Sequence, residues 1–324
     1  MTSRRLFLIH ATGLAAGSAL PLHAFGAEPS AATQVIVGFP PAGPVDIAAR
    51  LIGPLLSERL GESFEVVNVP GESGNIATAR VVAAPRDGRT LLMCGPVNTI
   101  NTTLFPNLPF DFGKDFAAVA GLYSVPLVVE VHPDVPVRSV TELIRLARSR
   151  PGGVRVGYAG VGTPQHLGIA LFNAMAGVSL ALVPYAGSAP ALVDLLAGRI
   201  DAMFDPTPSS IEHLRAGRLR ALGVTGRTRL SVLPGVPVVG DDVPGYEAGS
   251  WFGLCTPRGT PLERIEALNA AANDALRDRA LQARLNSLGA QAMPGSPADF
   301  AMLIASETRK YARVIETAGI KTRS

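Results

Sequence analysis

The residues of this chain that could do chemistry lie in four short turns rich in Gly, Pro, Ser and Thr. Each turn follows an apolar run and precedes a helical pattern; the turns are "PPAGPVD" (40–46), "PGESGN" (70–75), "GVGTPQH" (160–166) and "YAGSAP" (185–190). A helix that begins after a strand offers unpaired N–H groups and the positive end of its dipole. Small residues let a ligand approach that backbone closely. These turns therefore predict a site for a carboxylate or a phosphate.

The first two turns offer mainly backbone and small side chains to a ligand. Their candidate ligand-binding residues are Pro40, Ala42, Gly43, Asp46, Gly74 and Asn75. Gly43 supplies backbone freedom, Ala42 leaves space, and the prolines stiffen the loop, so that less entropy is lost on binding. We expect Asp46 to cap the helix that follows. The alternative is that each turn is an ordinary, well-capped connection.

The third and fourth turns add polar side chains. The candidates there are Gly162, Thr163, His166, Tyr185, Gly187 and Ser188, with Asp205 at the end of the strand pattern "RIDAMFD". Thr163 is predicted to cap a helix that starts at Pro164. His166 would lie in the first turn of that helix, which favours a neutral imidazole; a core histidine bonded to the neighbouring backbone is the alternative. Asp205 either faces the cleft or is a solvated loop carboxylate, and the two hydroxyl side chains could instead pack or cap.

The sequence carries no recognisable catalytic or metal-binding motif. There is no G-x-S-x-G, "GVGTPQ" lacks the third glycine of the dinucleotide fingerprint, and no lysine follows a Gly-rich loop. Beyond residue 26 the histidines are His132, His166 and His213, and none pairs with Cys or His at metal-ligand spacing. We therefore expect no cofactor, no metal and no catalysis. An exported enzyme that uses His166 with Asp205 or Asp46 remains the alternative, because acid–base pairs need no linear motif.

The elements that position these turns follow an α/β pattern. "QVIVGF", "SFEVVNV" and "GRTLLMCG" read as strands with helices between them, which predicts a parallel sheet with helices on both faces. Gly53–Pro54 should kink or split the first helix. A second α/β series begins at "VRVGYAG", and "VPLVVEVHPDVP" and "GSWFGLCTP" read as crossing strands. We predict one lobe from residues 34–125 and 250–324, and a second from 126–249.

The ends, the charge and the cysteines limit the class of protein. "TSRRLFLIH" and the apolar residues after it predict an export signal over residues 1–26, which resembles a twin-arginine signal. Such a signal predicts a periplasmic protein. The alternative is an uncleaved membrane anchor. Beyond residue 26 the 324-residue chain has 27 basic and 26 acidic residues, and it has no basic run with aromatics, so we expect no nucleic-acid partner. Cys94 and Cys255 could form a disulfide or remain separate buried thiols.

An ordered series of segments resembles a known family over essentially the whole chain beyond the signal. The segments are "GFPPAGPVDIAARLI", "VPGESGNIATARV", "PRDGRTLL", "GVGTPQHLGIALF", "VPYAGSAPALVDLLAGRIDAMFD", "GRLRALGVT" and "GSWFGLCTPRGTP". They resemble the tripartite tricarboxylate transporter receptors, also called the Bug (Bordetella uptake gene) proteins. The resemblance implies a type II periplasmic binding fold, with two α/β lobes, two crossing strands and a ligand cleft between the lobes. It also implies the capture of small organic acids for a membrane transporter.

The resemblance also implies roles for individual residues. Loops of this family grip a ligand carboxylate largely through backbone groups and ordered water, and the matching positions here are Pro40, Gly43, Asp46, Gly74, Asn75, Gly162, Thr163, His166, Tyr185, Gly187 and Ser188. This chain departs from the family at Ala42, where glycine is common, and at Glu72, which adds negative charge near the mouth. The expected partners are a small carboxylate and transporter subunits, with the receptor a monomer; a sensor lobe that signals to a membrane kinase is an alternative role.

Overall fold

The computed structural model describes residues 32–318 and 320, so the predicted export signal lies outside the described residues. The strands are β1 Thr33–Val37, β2 Phe64–Asn68, β3 Thr90–Cys94, β4 Phe116–Val131, β5 Arg155–Tyr158, β6 Ala181–Pro184, β7 Ala202–Pro206, β8 Arg220–Val224, β9 Gly249–Pro257 and β10 Gln291–Ala292. The helices are α1 Pro44–Leu60, α2 Asn75–Val82, α3 Pro96–Leu104, α4 Phe112–Asp115, α5 Val140–Ser149, α6 Pro164–Ala176, α7 Ser188–Leu196, α8 Thr207–Arg215, α9 Val239–Asp242, α10 Leu262–Arg277, α11 Arg279–Ser287 and α12 Pro297–Ala318.

The sheet joins two parallel groups through a pair of antiparallel strands. Its order is β2-β1-β3-β9-β4-β7-β5-β6, and β8 and β10 pair with β4 outside this path. The parallel pairings of β1 with β2 and β3, and of β5 with β6 and β7, agree with the βαβ pattern. The parallel arrangement predicted for the first three strands is confirmed in β1, β2 and β3, whereas the crossing strands β4 and β9 pair antiparallel.

The long strand β4 changes its partners halfway along. Its first part pairs with β9 as far as Pro126 opposite Gly249, and its second part pairs with β7 from Leu127 opposite Pro206. The chain thus forms two α/β halves that share β4. This change of partner supports the predicted lobe boundaries at residues 126 and 249, which stay a proposal.

Helix α1 shows how a single proline is tolerated within a helix. The helix runs unbroken for 17 residues through Pro54, so of the two expected outcomes the split was wrong, and the kink stays a prediction. Pro54 lies on the exposed face, where water can satisfy the carbonyl that loses its N–H partner. The opposite face packs into the core through Ile52 and Leu56, which are buried. Burial of this apolar stripe outweighs the local cost of the proline.

None of the helices in the described part of the chain is long and apolar enough to span a membrane.

Candidate functional site

A small cavity lies where several strands give way to helices. Its lining is mostly small and apolar, and the lining residues are Phe39, Gly43, Pro44, Val45, Gly95, Pro96, Val97, Ala159, Thr163, Pro164, Gln165, Ser188, Pro206, Ser250 and Phe252. Among the residues that the structure describes, no charged side chain lines this space.

Four helices begin at this cavity. The first residues of α1, α3, α6 and α7, which are Pro44, Pro96, Pro164 and Ser188, all belong to its lining. The first N–H groups of a helix have no partner within the helix, and the dipole places partial positive charge there. The positive ends of four helices therefore meet around one uncharged space, an arrangement suited to an anion.

The start of α3 is a part of the site that sequence reasoning missed. Gly95–Pro96–Val97 repeats the tripeptide Gly43–Pro44–Val45 at the start of α1, and both line the cavity. A Cβ atom on Gly95 would lie 2.9 Å from the carbonyl oxygen of Trp251, so close packing requires glycine there. The repeated Gly-Pro-Val was the signal available in the sequence. The other lining residues that were not among the predicted site residues are Phe39, Pro44, Val45, Ala159, Pro164, Gln165, Pro206, Ser250 and Phe252.

Three of the predicted site residues, Gly43, Thr163 and Ser188, line the cavity. Thr163 caps α6 as expected: its Oγ1 accepts a hydrogen bond from the backbone N–H of His166 at 3.3 Å and donates one to the carbonyl of Gly160 at 2.7 Å. Gly43, rather than Asp46, occupies the N-cap position of α1. These three residues come from the first, third and fourth turns.

Asp46 stabilises the first turn instead of capping the helix. It is buried in the first turn of α1, where its carboxylate accepts hydrogen bonds from Ala42 N at 3.0 Å, Arg50 Nε at 2.8 Å and Asn68 Nδ2 at 2.9 Å. Burial acts to raise the pKa of Asp46, but these hydrogen bonds outweigh it and hold the pKa below its usual value. The expected N-cap role was wrong, because the carboxylate reaches back past Gly43 to the loop.

Asp205 lies directly behind the lining and organises two lining side chains. The Oγ of Ser188 donates to its Oδ1 at 2.6 Å, and Nε2 of Gln165 donates to the same oxygen at 3.3 Å and to Ser188 Oγ at 3.0 Å. Ser209 Oγ donates to the other carboxylate oxygen. Asp205 is fully buried, so it is not a solvated loop carboxylate. Burial raises its pKa despite the hydrogen bonds that it accepts.

His166 lies next to the cavity lining and holds the third turn in place. Its Nδ1 accepts a hydrogen bond from the backbone N–H of Gly162 at 3.3 Å, and its ring stacks on Tyr158 with the centroids 5.0 Å apart. Burial lowers the pKa of His166, which favours the neutral form that the sequence predicts. The geometry is that of a histidine bonded to the neighbouring backbone.

The first and fourth turns touch each other. A Cβ atom on Gly187 would lie 2.8 Å from Cδ of Pro40, so a larger residue at position 187 would push the turns apart. Tyr185, in the fourth turn, donates its hydroxyl to Asp194 at 2.8 Å. Ala42, in the first turn, adopts a left-handed conformation with φ of 65°. Pro40, Ala42, Tyr185 and Gly187 do not line the cavity, although Gly43 and Ser188 of the same two turns do.

The second turn contacts α3 rather than the cavity. Asn75 Oδ1 accepts a hydrogen bond from Nδ2 of Asn101 at 2.8 Å, and Asn101 also donates to the carbonyl of Ser73. Gly162 of the third turn faces the same asparagine, since a Cβ atom there would fall 2.3 Å from Asn101 Oδ1. Gly74 has a positive φ of 85° and packs against Phe39. Gly74, Asn75 and Gly162 thus lie one layer outside the lining.

No group of three or more His, Cys, Asp or Glu side chains in the described ranges is arranged to hold a metal ion.

Comparison with known proteins gives consistent relatives over most of the chain. The family model "Tripartite tricarboxylate transporter family receptor" matches residues 48–320. Protein BugT of Bordetella pertussis is 33% identical over 310 residues, which cover 94% of this chain and 94% of BugT.

Two solved structures are similar to this chain in both fold and sequence. Rpa4515 of R. palustris, solved with adipate, is 38% identical, has a TM-score of 0.87 and covers 90% of this chain and 98% of its own. MatC from Rhodopseudomonas palustris, solved with bound malate, is 32% identical, has a TM-score of 0.84 and covers 88% of this chain and 98% of its own. The fold is thus the type II periplasmic binding fold that the resemblance implied, and the chain belongs to the family of tripartite tricarboxylate transporter receptors.

Proposed function

We propose that this chain is a periplasmic solute receptor that holds a small carboxylate in the cavity and delivers it to a tripartite tricarboxylate-type transporter. The observation that carries the proposal is the meeting of four helix N-termini, α1, α3, α6 and α7, at one cavity. Backbone N–H groups and helix dipoles there favour a bound anion without a cationic side chain. Relatives solved with adipate and with malate bind the same chemical class.

We also propose that the site binds without catalysis. The enzyme alternative relied on His166 with Asp205 or Asp46 as an acid–base pair. His166 Nδ1 accepts a backbone hydrogen bond, Asp205 accepts hydrogen bonds from three side chains, and Asp46 accepts hydrogen bonds from three groups. These groups are engaged in holding turns and lining residues in place. Their arrangement favours a receptor, which we expect to be a monomer.

The test is a binding and turnover experiment on the purified chain without residues 1–26. Isothermal titration calorimetry with adipate, malate, hexanoate and benzoate should show saturable binding of at least one acid, with one site per chain. Chromatography of the same acid after long incubation should recover it unchanged. If none of these acids binds to the folded protein, the proposed carboxylate-binding function is wrong. If the bound acid is converted to a product, the protein is an enzyme and the proposed lack of catalysis is wrong. Loss of uptake of that acid on gene deletion, restored by the intact gene, would support transport over sensing.

A further inference from the structure

The fold brings the two cysteines of the chain into contact across neighbouring strands. Cys94 ends β3 and Cys255 lies on β9, 161 positions further along the chain, and their sulfur atoms are 3.0 Å apart. This is closer than the optimal separation of about 3.5–4.0 Å between carbon atoms, although sulfur is the larger atom. We propose that Cys94 and Cys255 form one disulfide when the chain folds in an oxidising medium. The periplasm, in which the function proposed above places the chain, is such a medium.

The strand register places the two cysteine side chains on the same face of the sheet. β3 and β9 pair antiparallel, with Cys94 opposite Gly253 and Leu92 opposite Cys255. Residues two apart on a strand share a face, so the cysteines are diagonal neighbours on that face. Diagonal neighbours are farther apart at the backbone than directly opposed residues, and the two side chains span this distance by turning toward each other. A bond of about 2.0 Å then requires the sulfurs to approach by about 1 Å.

The sulfur pair lies in an apolar cluster that shields it from water. Both cysteines are fully buried, and the cluster also contains Ile36, Trp251 and Phe300. Burial, followed by the contact with Cys255, raises the pKa of Cys94 well above its usual value. Because the thiolate is the form that attacks a disulfide, the thiols of the folded chain should react slowly. We therefore expect oxidation while the chain folds, before the cluster closes around the sulfurs.

A small-molecule disulfide, such as oxidised glutathione, is the oxidant in this step. The thiolate of one cysteine attacks a sulfur of that molecule, which forms a mixed disulfide and releases one small thiolate. The thiolate of the second cysteine then attacks the protein sulfur of the mixed disulfide, and the second small thiolate leaves. The two cysteines thus lose two electrons and two protons, and the oxidant becomes two thiols.

The bond would join two segments that line the cavity. Cys94 is followed by Gly95, which lines the cavity before α3, and β9 contributes Ser250 and Phe252 to the same lining. A covalent link across 161 positions also removes many conformations from the unfolded chain. The oxidised protein should therefore unfold at a urea midpoint roughly 1 M above that of the reduced protein. A midpoint at or below that of the reduced protein would contradict a disulfide that belongs to the native fold.

The main experiment counts free thiols after refolding. The chain without residues 1–26 is unfolded in urea and dithiothreitol, desalted in urea, and refolded by dilution into oxidised and reduced glutathione. It is then denatured in iodoacetamide and weighed by mass spectrometry. Wild-type protein should be two hydrogens lighter than the fully reduced chain and should take up no label. Two alkylated cysteines, or a glutathione on each, in protein that circular dichroism shows to be folded would overturn the proposal.

Single substitutions and concentrated urea are the matched controls. Cys94→Ser and Cys255→Ser each leave one sulfur, which should carry one label or one glutathione. Wild-type chain kept in concentrated urea with the same glutathione mixture should form the internal bond at roughly tenfold lower yield. Only the fold brings the two cysteines together, since a long loop must otherwise close. Equal yields with and without urea would contradict pairing by the fold.

The order of folding and oxidation has its own readout. Reduced protein that is already folded should oxidise in the same glutathione mixture roughly tenfold or more slowly than the refolding chain, because its thiols are buried. Equal rates would overturn the protection assigned to the apolar cluster. None of these readouts depends on carboxylate binding, so failure of the disulfide would leave the proposed receptor function intact.

Discussion

The hydroxyl of Ser188 donates a hydrogen bond of 2.6 Å to Oδ1 of Asp205, and this bond joins the surface of the cavity to a carboxylate in the core. Ser188 begins α7 and lines the cavity, whereas Asp205 near the end of β7 is fully buried. A carboxylate without solvent depends on such donors. The geometry of the site is thereby linked to the stability of the protein.

Removing this hydroxyl should therefore destabilise the protein. Ser188→Ala leaves the buried Asp205 with one donor fewer and should lower the free energy of unfolding by about 1–3 kcal/mol. Urea denaturation followed by circular dichroism measures this change. Ser306→Ala, at an exposed position of α12, is the matched control and should change stability by less than about 0.5 kcal/mol. Equal effects of the two substitutions would contradict the role assigned to this hydrogen bond.

Gly43 offers a test of ligand access at the first turn. A Cβ atom there would contact only the carbonyl of Pro40, at an ordinary 3.5 Å, so the backbone tolerates a side chain that then occupies the cavity. Gly43→Val should leave the fold intact and weaken carboxylate binding by about 1–3 kcal/mol, measured by calorimetry. Gly235→Val is the matched control, because a Cβ atom on Gly235 would meet open space. Undiminished affinity in folded Gly43→Val would place the ligand elsewhere.

Glu130 should make stability depend on pH. It is fully buried on β4, and burial together with the charge of Asp205 raises its pKa well above the usual value. The folded protein then holds a proton that the unfolded chain releases near pH 4.5, so this group's contribution to stability is lost as pH rises from there through the folded pKa.

A glutamine side chain cannot ionise, so Glu130→Gln should flatten this part of the curve of unfolding free energy against pH. The expected difference in slope between wild type and variant approaches about 1.4 kcal/mol per pH unit between the unfolded and folded pKa. Urea denaturation at a series of pH values above 4.5 measures it. Glu65→Gln, at an exposed position, should keep the wild-type slope. Parallel curves for wild type and Glu130→Gln would rule out a buried, protonated Glu130.

The protein should be less stable with Ala42 than with glycine at the same position. Its φ of 65° is costly for a residue with a Cβ atom, by about 1–2 kcal/mol, whereas glycine adopts it freely. After the greater flexibility of glycine in the unfolded chain is subtracted, Ala42→Gly should stabilise the protein by about 0.5–1 kcal/mol. Ala301→Gly, at an exposed helical position, should destabilise it by a similar amount. Thermal denaturation compares the two, and the same sign for both would contradict the strain.

Much of the architecture was predictable because it depends on local patterns. Alternation of apolar strands with helical segments indicated the two α/β series, and turn residues marked where helices begin. Thr163 and Pro164 at the start of α6 follow from side-chain capping and from the fixed φ of proline, which act within a few residues. The two crossing strands were also readable, as long apolar runs. Each of these patterns has a physical cause that acts between residues within about one helical turn or one strand.

The tertiary structure alone decided which of these parts meet. Gly43, Gly95 and Ser188 line one cavity although they are far apart in sequence. No local sequence pattern indicates that these three residues lie close together in space. The same holds for the burial of Asp205 behind Ser188, and for the contact between Cys94 and Cys255 across β3 and β9. Such relationships arise when separate elements pack to bury their apolar faces and to pair their buried polar groups. Local sequence therefore determined helix starts such as that of α6, and packing determined which helix starts meet at the cavity.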